Sequence, residues 1–202
     1  MNDRVLRRFI KLMALLIVGA MLFWLAADWF GGGDPGDYEV RQGDQRLSEG
    51  KYDEALAAFD RALEEMPDHR GALMGRALVF MQTDRHEEAF AEFKYLIDFL
   101  TDSVAPDDPT GRAVLAAAYA NRGILYDRRG EYREALEDYI RSIRVDEGAV
   151  EGPGVVHEIL YGYKPSTVRD RAIYIHEQLQ LPEDQRQLAN PELDEQQRMY
   201  KP

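Results

Sequence analysis

The stretch Gly50–Pro67, GKYDEALAAFDRALEEMP, decides how the whole chain is read. Its Gly50, Tyr52, Ala55, Phe59 and Ala62 have counterparts 34 residues on in Asp84, His86, Ala89, Phe93 and Leu96, and later in Gly130, Tyr132, Ala135, Tyr139 and Ser142. A period of 34 in which small and bulky residues alternate marks a helical solenoid, whose hairpins bury their apolar faces only by stacking on one another. Such a chain offers a binding surface rather than a reaction centre.

Working outward, the first repeat sets a helix over Tyr38–Glu49 against one over Asp53–Met66. Gly43 is the small residue at their crossing, Asp53 is placed to cap the second helix with Glu54 in its first turn, and Pro67 ends it. In the second repeat Ala77 replaces Gly43, Phe80 is the bulky first-helix residue, and Asp84 stands where the other two repeats have Gly50 and Gly130; aspartate tolerates left-handed turns. The third repeat carries Tyr119, Gly123 and Tyr126 on its first helix, and departs from the pattern at Ser142 and Glu147. Between the second and third repeats the spacing grows from 34 to 46, which places 12 extra residues around Thr101–Gly111, TDSVAPDDPTG. Insertions in solenoids map to inter-repeat loops and often recognise partners; the alternative is a solvated elongation of the two flanking helices.

These residues together resemble the tetratricopeptide repeat family over roughly Asp37–Glu147. The resemblance implies an all-α fold: a short solenoid of three helix-turn-helix repeats at about 37–69, 70–103 and 113–148, with the insertion at about 101–111. An open stack needs a cap, which 149–180 can supply: Val155, Val156, Ile159, Leu160 and Tyr163 recur at helical spacing, and Thr167 with Asp170 makes a capping-box start for a second helix. Residues 181–202 read as a short helix and a tail.

The family binds protein partners through a concave groove lined by first-helix residues. By alignment these are Val40, Asp44 and Leu47 in the first repeat, Met74, Leu78, Met81 and Gln82 in the second, and Ile124, Asp127 and Arg128 in the third. Members that capture the C-terminal carboxylate of chaperones use lysine and asparagine where Val40 and Asp44 stand here, so that clamp is absent. What the groove offers is Met74, Leu78, Met81 and Ile124, an apolar surface able to repack around varied peptides, unless C-terminal helices fold back into it.

From Leu12 to Ala27 the chain carries no charge, and the span Phe9–Phe30 is long enough as a helix to cross a hydrocarbon core of about 30 Å. A cleaved signal peptide would need small residues at two positions before the cut, and cutting after Ala27 or Ala26 puts Leu25 or Trp24 there. Basic Arg4, Arg7, Arg8 and Lys11 in the short N-terminus (1–8) and the start of the span, against Asp28, Asp34 and Asp37 beyond it, keep that end in the cytoplasm and send the repeats across. The expected protein is therefore a single-pass inner-membrane protein with a periplasmic repeat domain. A Gly-rich linker, 31–36, holds the repeats near the surface.

Charge excludes a nucleic-acid binder: beyond residue 30 the chain holds 21 basic against 35 acidic residues. There is no cysteine, which removes disulfides, thiolate metal sites and a thiol nucleophile. His157-Glu158 starts like a zinc protease motif but meets Tyr161 where a second histidine belongs, and His69, His86 and His176 have no companions in sequence. No phosphate-cradling loop follows a strand, and the scattered carboxylates nominate no catalytic pair. No catalytic residue, cofactor or metal is expected. The reading is an adaptor or assembly factor for membrane-associated protein partners; a permanent accessory subunit of a membrane complex is the alternative, and an enzyme the weaker one.

Overall fold

Three reversals of the chain share one backbone device. Gly50, Asp84 and Gly130 adopt φ of 71°, 55° and 76°, the left-handed conformation that lets a helix end and the next begin within a few residues. Asp84 does what glycine does at the other two turns, as its residue type allows. The computed structural model describes residues 3–30, 33–150 and 167–190 and divides into two units, Met1–Pro35 and Gly36–Pro202.

The first unit is one helix, α1 (Asp3–Phe30). Its described side chains are exposed, Leu15, Phe23 and Trp24 by 74–77%. No helix among the described residues is long and apolar enough to cross a membrane. The crossing expected over Phe9–Phe30 is therefore not shown, since the described apolar run, 12–24, covers only about 20 Å at 1.5 Å per residue.

The second unit holds α2 (Asp37–Ser48), α3 (Tyr52–Glu65), α4 (Arg70–Gln82), α5 (His86–Ser103), α6 (Pro109–Arg128), α7 (Tyr132–Val145) and α8 (Val168–Gln180). The pairs α2/α3, α4/α5 and α6/α7 form hairpins, and each second helix packs on the following first helix: α3 on α4, α5 on α6 and α7 on α8. With no strand among the described residues, this is the expected all-α stack, and α8 takes the place of the next repeat's first helix. Close crossing depends on glycine. A Cβ on Gly43 would lie 2.5 Å from the Phe59 ring, one on Gly123 2.7 Å from Tyr139, and one on Gly75, which the repeat pattern does not single out, 2.3 Å from Phe59. Phe59 and Tyr139 are accordingly 0% exposed.

Several local expectations change. Asp53 does not cap α3: Lys51 holds the N-cap position with no side-chain bond, and Asp53 lies in the first turn, where its charge still favours the helix N-terminus. α3 stops at Glu65 because Met66, ahead of Pro67, is extended at φ −141°, ψ 98°. α7 ends the same way at Asp146 (φ −158°, ψ 98°) without a proline, while the departing Ser142 donates a 2.7 Å hydrogen bond to the Ala116 carbonyl inside the hairpin. The 12 extra residues do not form a long loop. They lengthen α5 to 18 and α6 to 20 residues, against 14 for α3 and 13 for α4, and leave a connection of 104–108.

At the C-terminal side, Thr167 and Asp170 make the reciprocal capping box that starts α8. After α8 a 3-10 turn (Glu183–Gln185) redirects the chain, so that Tyr174 donates to the Gln187 carbonyl and the Gln187 amide donates to Gln178 Oε1. The helix expected around Val155–Tyr163, with His157 and Glu158, and the tail 191–202 lie outside the described residues.

Candidate functional site

The first-helix face is a floor of buried side chains with an open rim. Met74, Leu78, Met81 and Ile124 are 1–3% exposed and belong to one apolar cluster with Val168, Ala172 and Ile175 of α8, against which Leu179 and Leu188 also pack. Leu47 packs half-buried on the same cluster, and Val40 on the smaller one around Phe59. Asp44 is half-buried, while Gln82 and Arg128 are exposed. Gln82 accepts a 3.0 Å hydrogen bond from the Tyr52 hydroxyl. Nine of the ten aligned residues thus divide into an apolar floor shared with the C-terminal helix and a more accessible rim on α2, α4 and α6.

Asp127 sits at neither. It is buried and accepts two hydrogen bonds of 2.7 Å from Nε and Nη2 of Arg171 on α8, and a third of 3.1 Å from the Tyr139 hydroxyl. Arg171 is 1% exposed, and its Nη2 also donates to the Leu188 carbonyl. One guanidinium therefore ties the end of α6, the helix α8 and the segment beyond α8. Sequence pattern gave no notice of it, because a buried arginine on an otherwise amphipathic helix is indistinguishable from a surface one until its partner is placed.

A second polar device repeats with the fold. Arg122 donates to both oxygens of Asp138 at 2.6 and 2.9 Å, and Arg76 donates to Glu92, each 16 residues on, joining the two helices of a hairpin. Arg76 also reaches back to Asp60 of the previous hairpin at 2.8 Å. Burial pushes the Glu92 carboxyl above its ordinary range against the pull of Arg76. Burial opposes the charge on Arg76, yet Asp60 and Glu92 together raise its pKa. The matched spacing of 16 was available in the sequence, concealed among so many other carboxylates.

On the rim of the first repeat, Glu49 is held at about 2 by hydrogen bonds from Lys51, Gln45 and Arg46. His69 is buried, its Nδ1 accepting from the Ala72 amide and its Nε2 lying 3.0 Å from Asp37, so it caps α4. No group of three or more potential metal ligands gathers among the described residues. His86 and His176 are placed apart from His69, on α5 and α8.

Family models of the tetratricopeptide repeat match residues 40–109 and 116–148, together just over half of the chain. The chain belongs to the tetratricopeptide repeat family. It is 24% identical over 106 residues to anaphase-promoting complex subunit 3 of Schizosaccharomyces pombe, a match that covers 52% of this chain but 14% of that protein. Among solved structures it is similar to the first TPR of Spaghetti (RPAP3) bound to an HSP90 peptide, with TM-score 0.53, 15% identity, and coverage of 74% of this chain and 97% of that one. A crystal structure of MamA protein also aligns, at TM-score 0.32 and 19% identity over 72% of this chain and 90% of that one. Tetratricopeptide repeats are a protein-interaction fold, and the helical stack described above is its architecture.

Proposed function

We propose that this tetratricopeptide repeat protein is a membrane-anchored adaptor or assembly factor that docks protein partners on its first-helix face. The observation that carries the reading is the composition of that face. Val40, Asp44, Leu47, Gln82 and Arg128 remain at least partly accessible around a floor of Met74, Leu78, Met81 and Ile124 that is buried in one cluster with α8. The HSP90 peptide held by a protein of similar fold supports a peptide-binding role. With Val40 and Asp44 in place of a lysine and an asparagine, the recognised feature is not a terminal carboxylate, and an internal or amphipathic segment fits better.

Anchoring rests on the sequence: the charge-free run Leu12–Ala27, its apolar flanks, and the basic residues ahead of it support a single-pass helix with the repeats on the periplasmic side. A tether of that kind concentrates the domain near membrane-associated partners. The test is site-specific photocrosslinking in intact membranes from Gln82 and Arg128, compared with Asp98 on a second helix. Partners recovered from Gln82 and Arg128 are expected; partners recovered from Asp98 alone would refute the face. A reporter fused after Pro202 that is active only in the cytoplasm would refute the orientation.

A further inference from the structure

The 12 inserted residues help to build a recess. The lengthened ends of α5 and α6, the connection between them and the end of α7 enclose an open recess of about 370 Å³. Its lining is more apolar than polar, with Leu100, Val104, Pro106, Leu115 and Tyr119 beside Arg112 and Arg144. None of the aligned groove residues lines it.

Two cations at one apolar recess are out of character for a domain with 35 acidic against 21 basic residues beyond residue 30. A purely structural role accounts for one of them. Arg112 donates through Nε and Nη2 to the Val145 carbonyl, which satisfies the exposed C-terminal end of α7. Among the described residues Arg144 makes no such bond and no ion pair, although it is exposed one residue from the same helix end, and Nη1 of Arg112 is likewise uncommitted there. The exposed acidic neighbours Asp102 and Asp107 do not line the recess. Arg112 is thus fixed in place by α7, and with Arg144 it presents guanidinium donors above an apolar floor.

We infer that this recess is a second docking site, taking an acidic amphipathic segment of a partner protein: an apolar side chain enters between Leu100, Val104 and Leu115 while flanking carboxylates pair with Arg112 and Arg144. Charge selects the partner here. A basic segment would be drawn to the acidic remainder of the domain and repelled at this corner. The site is independent of the first-helix face, so each can fail without the other.

The test uses the full chain in nonionic detergent and fluorescence polarisation of two labelled octapeptides, one with a leucine and a phenylalanine flanked by aspartates and one with lysines in place of the aspartates. The acidic peptide is expected to bind and the lysine peptide to bind at least about tenfold more weakly, given the strength of hydrogen bonds between charged groups. Arg144→Glu and Ala105→Glu, both at exposed positions, should each weaken the acidic peptide at least about tenfold with unchanged helicity and melting temperature, while Gln82→Arg, at a residue that does not line the recess, leaves it unaltered. Equal binding of the two peptides, no binding of either, or full binding by Arg144→Glu overturns the inference. So does sedimentation showing that the recess instead joins two copies of this chain, with a dimer that Ala105→Glu dissociates.

Discussion

Cutting the tie between Asp127 and Arg171 should release α8 from the repeats. Both groups are almost fully buried, at 6% and 1% exposure, and they meet through two 2.7 Å hydrogen bonds. Removing one member takes the bidentate partner from the other's charge in a low-dielectric interior, which costs about 3–5 kcal/mol; replacing both by apolar side chains of similar volume is often close to neutral. Asp127→Leu and Arg171→Met are therefore each expected to lower the opening free energy of α8 by about 3–5 kcal/mol. The double variant should recover to within about 1–2 kcal/mol of the wild type, the residue being the Tyr139 hydroxyl that loses its acceptor. Native-state hydrogen exchange of the 168–180 amides reads this directly, with denaturant unfolding beside it to show whether the loss is local or global. A double-mutant coupling near zero, or single variants whose α8 amides stay as protected as the wild type's, would refute the argument that this pair holds the helix.

Other outcomes follow from individual positions. Asp84→Gly should stabilise modestly and Asp84→Val should destabilise by about 1–2 kcal/mol in thermal unfolding, because only the former suits φ 55°. Gly75→Ala should cost about 1–3 kcal/mol, since its methyl would fall 2.3 Å from the Phe59 ring, which is fully buried and cannot swing out; no loss of melting temperature would contradict that packing. Glu92 has a folded pKa raised by burial, so between its ordinary value of 4.5 and that raised value the folded chain binds more protons and stability falls as pH rises. Glu92→Gln should flatten that window in pH-dependent unfolding. Glu49 should titrate at about 2 in carboxyl NMR and move back toward 4.5 in high salt, because its partners are exposed.

Legibility followed the chemistry of the residues. Most features enforced by local backbone or by a small residue at a crossing were readable: the turns at Gly50 and Gly130, the aspartate standing in at 84, Gly43 and Gly123 under their aromatic rings, and the Thr167–Asp170 cap, with Gly75 and the start of α3 the exceptions. Features decided by which charges meet in space were not. Arg171 looks like any helix-surface arginine, and Arg76 and Arg122 look like solvated partners of a crowded acidic chain, until the hairpins bring Glu92 and Asp138 across. The groove shows the same divide, since alignment selects its residues but cannot say that Met74, Leu78, Met81 and Ile124 share one buried cluster with a helix that begins only at Val168.

That shared cluster and the lengthened α5–α6 hairpin bear on one question, where a short solenoid keeps its recognition surface. Three repeats bury most of their apolar residues merely to hold together, and here α8 uses part of the first-helix face for that purpose through Ile175, Ala172 and the Arg171 tie. The surface this removes is partly restored elsewhere. Extending α5 to 18 and α6 to 20 residues places Leu100, Val104 and Leu115 around the recess, with Arg144 and Val145 of α7 beside them. A loop of 12 residues would have met the same spacing without forming any wall. Helical extension holds both sides rigid, so a partner entering the recess orders little besides itself, and its affinity depends on its own complementarity to apolar walls and two arginines.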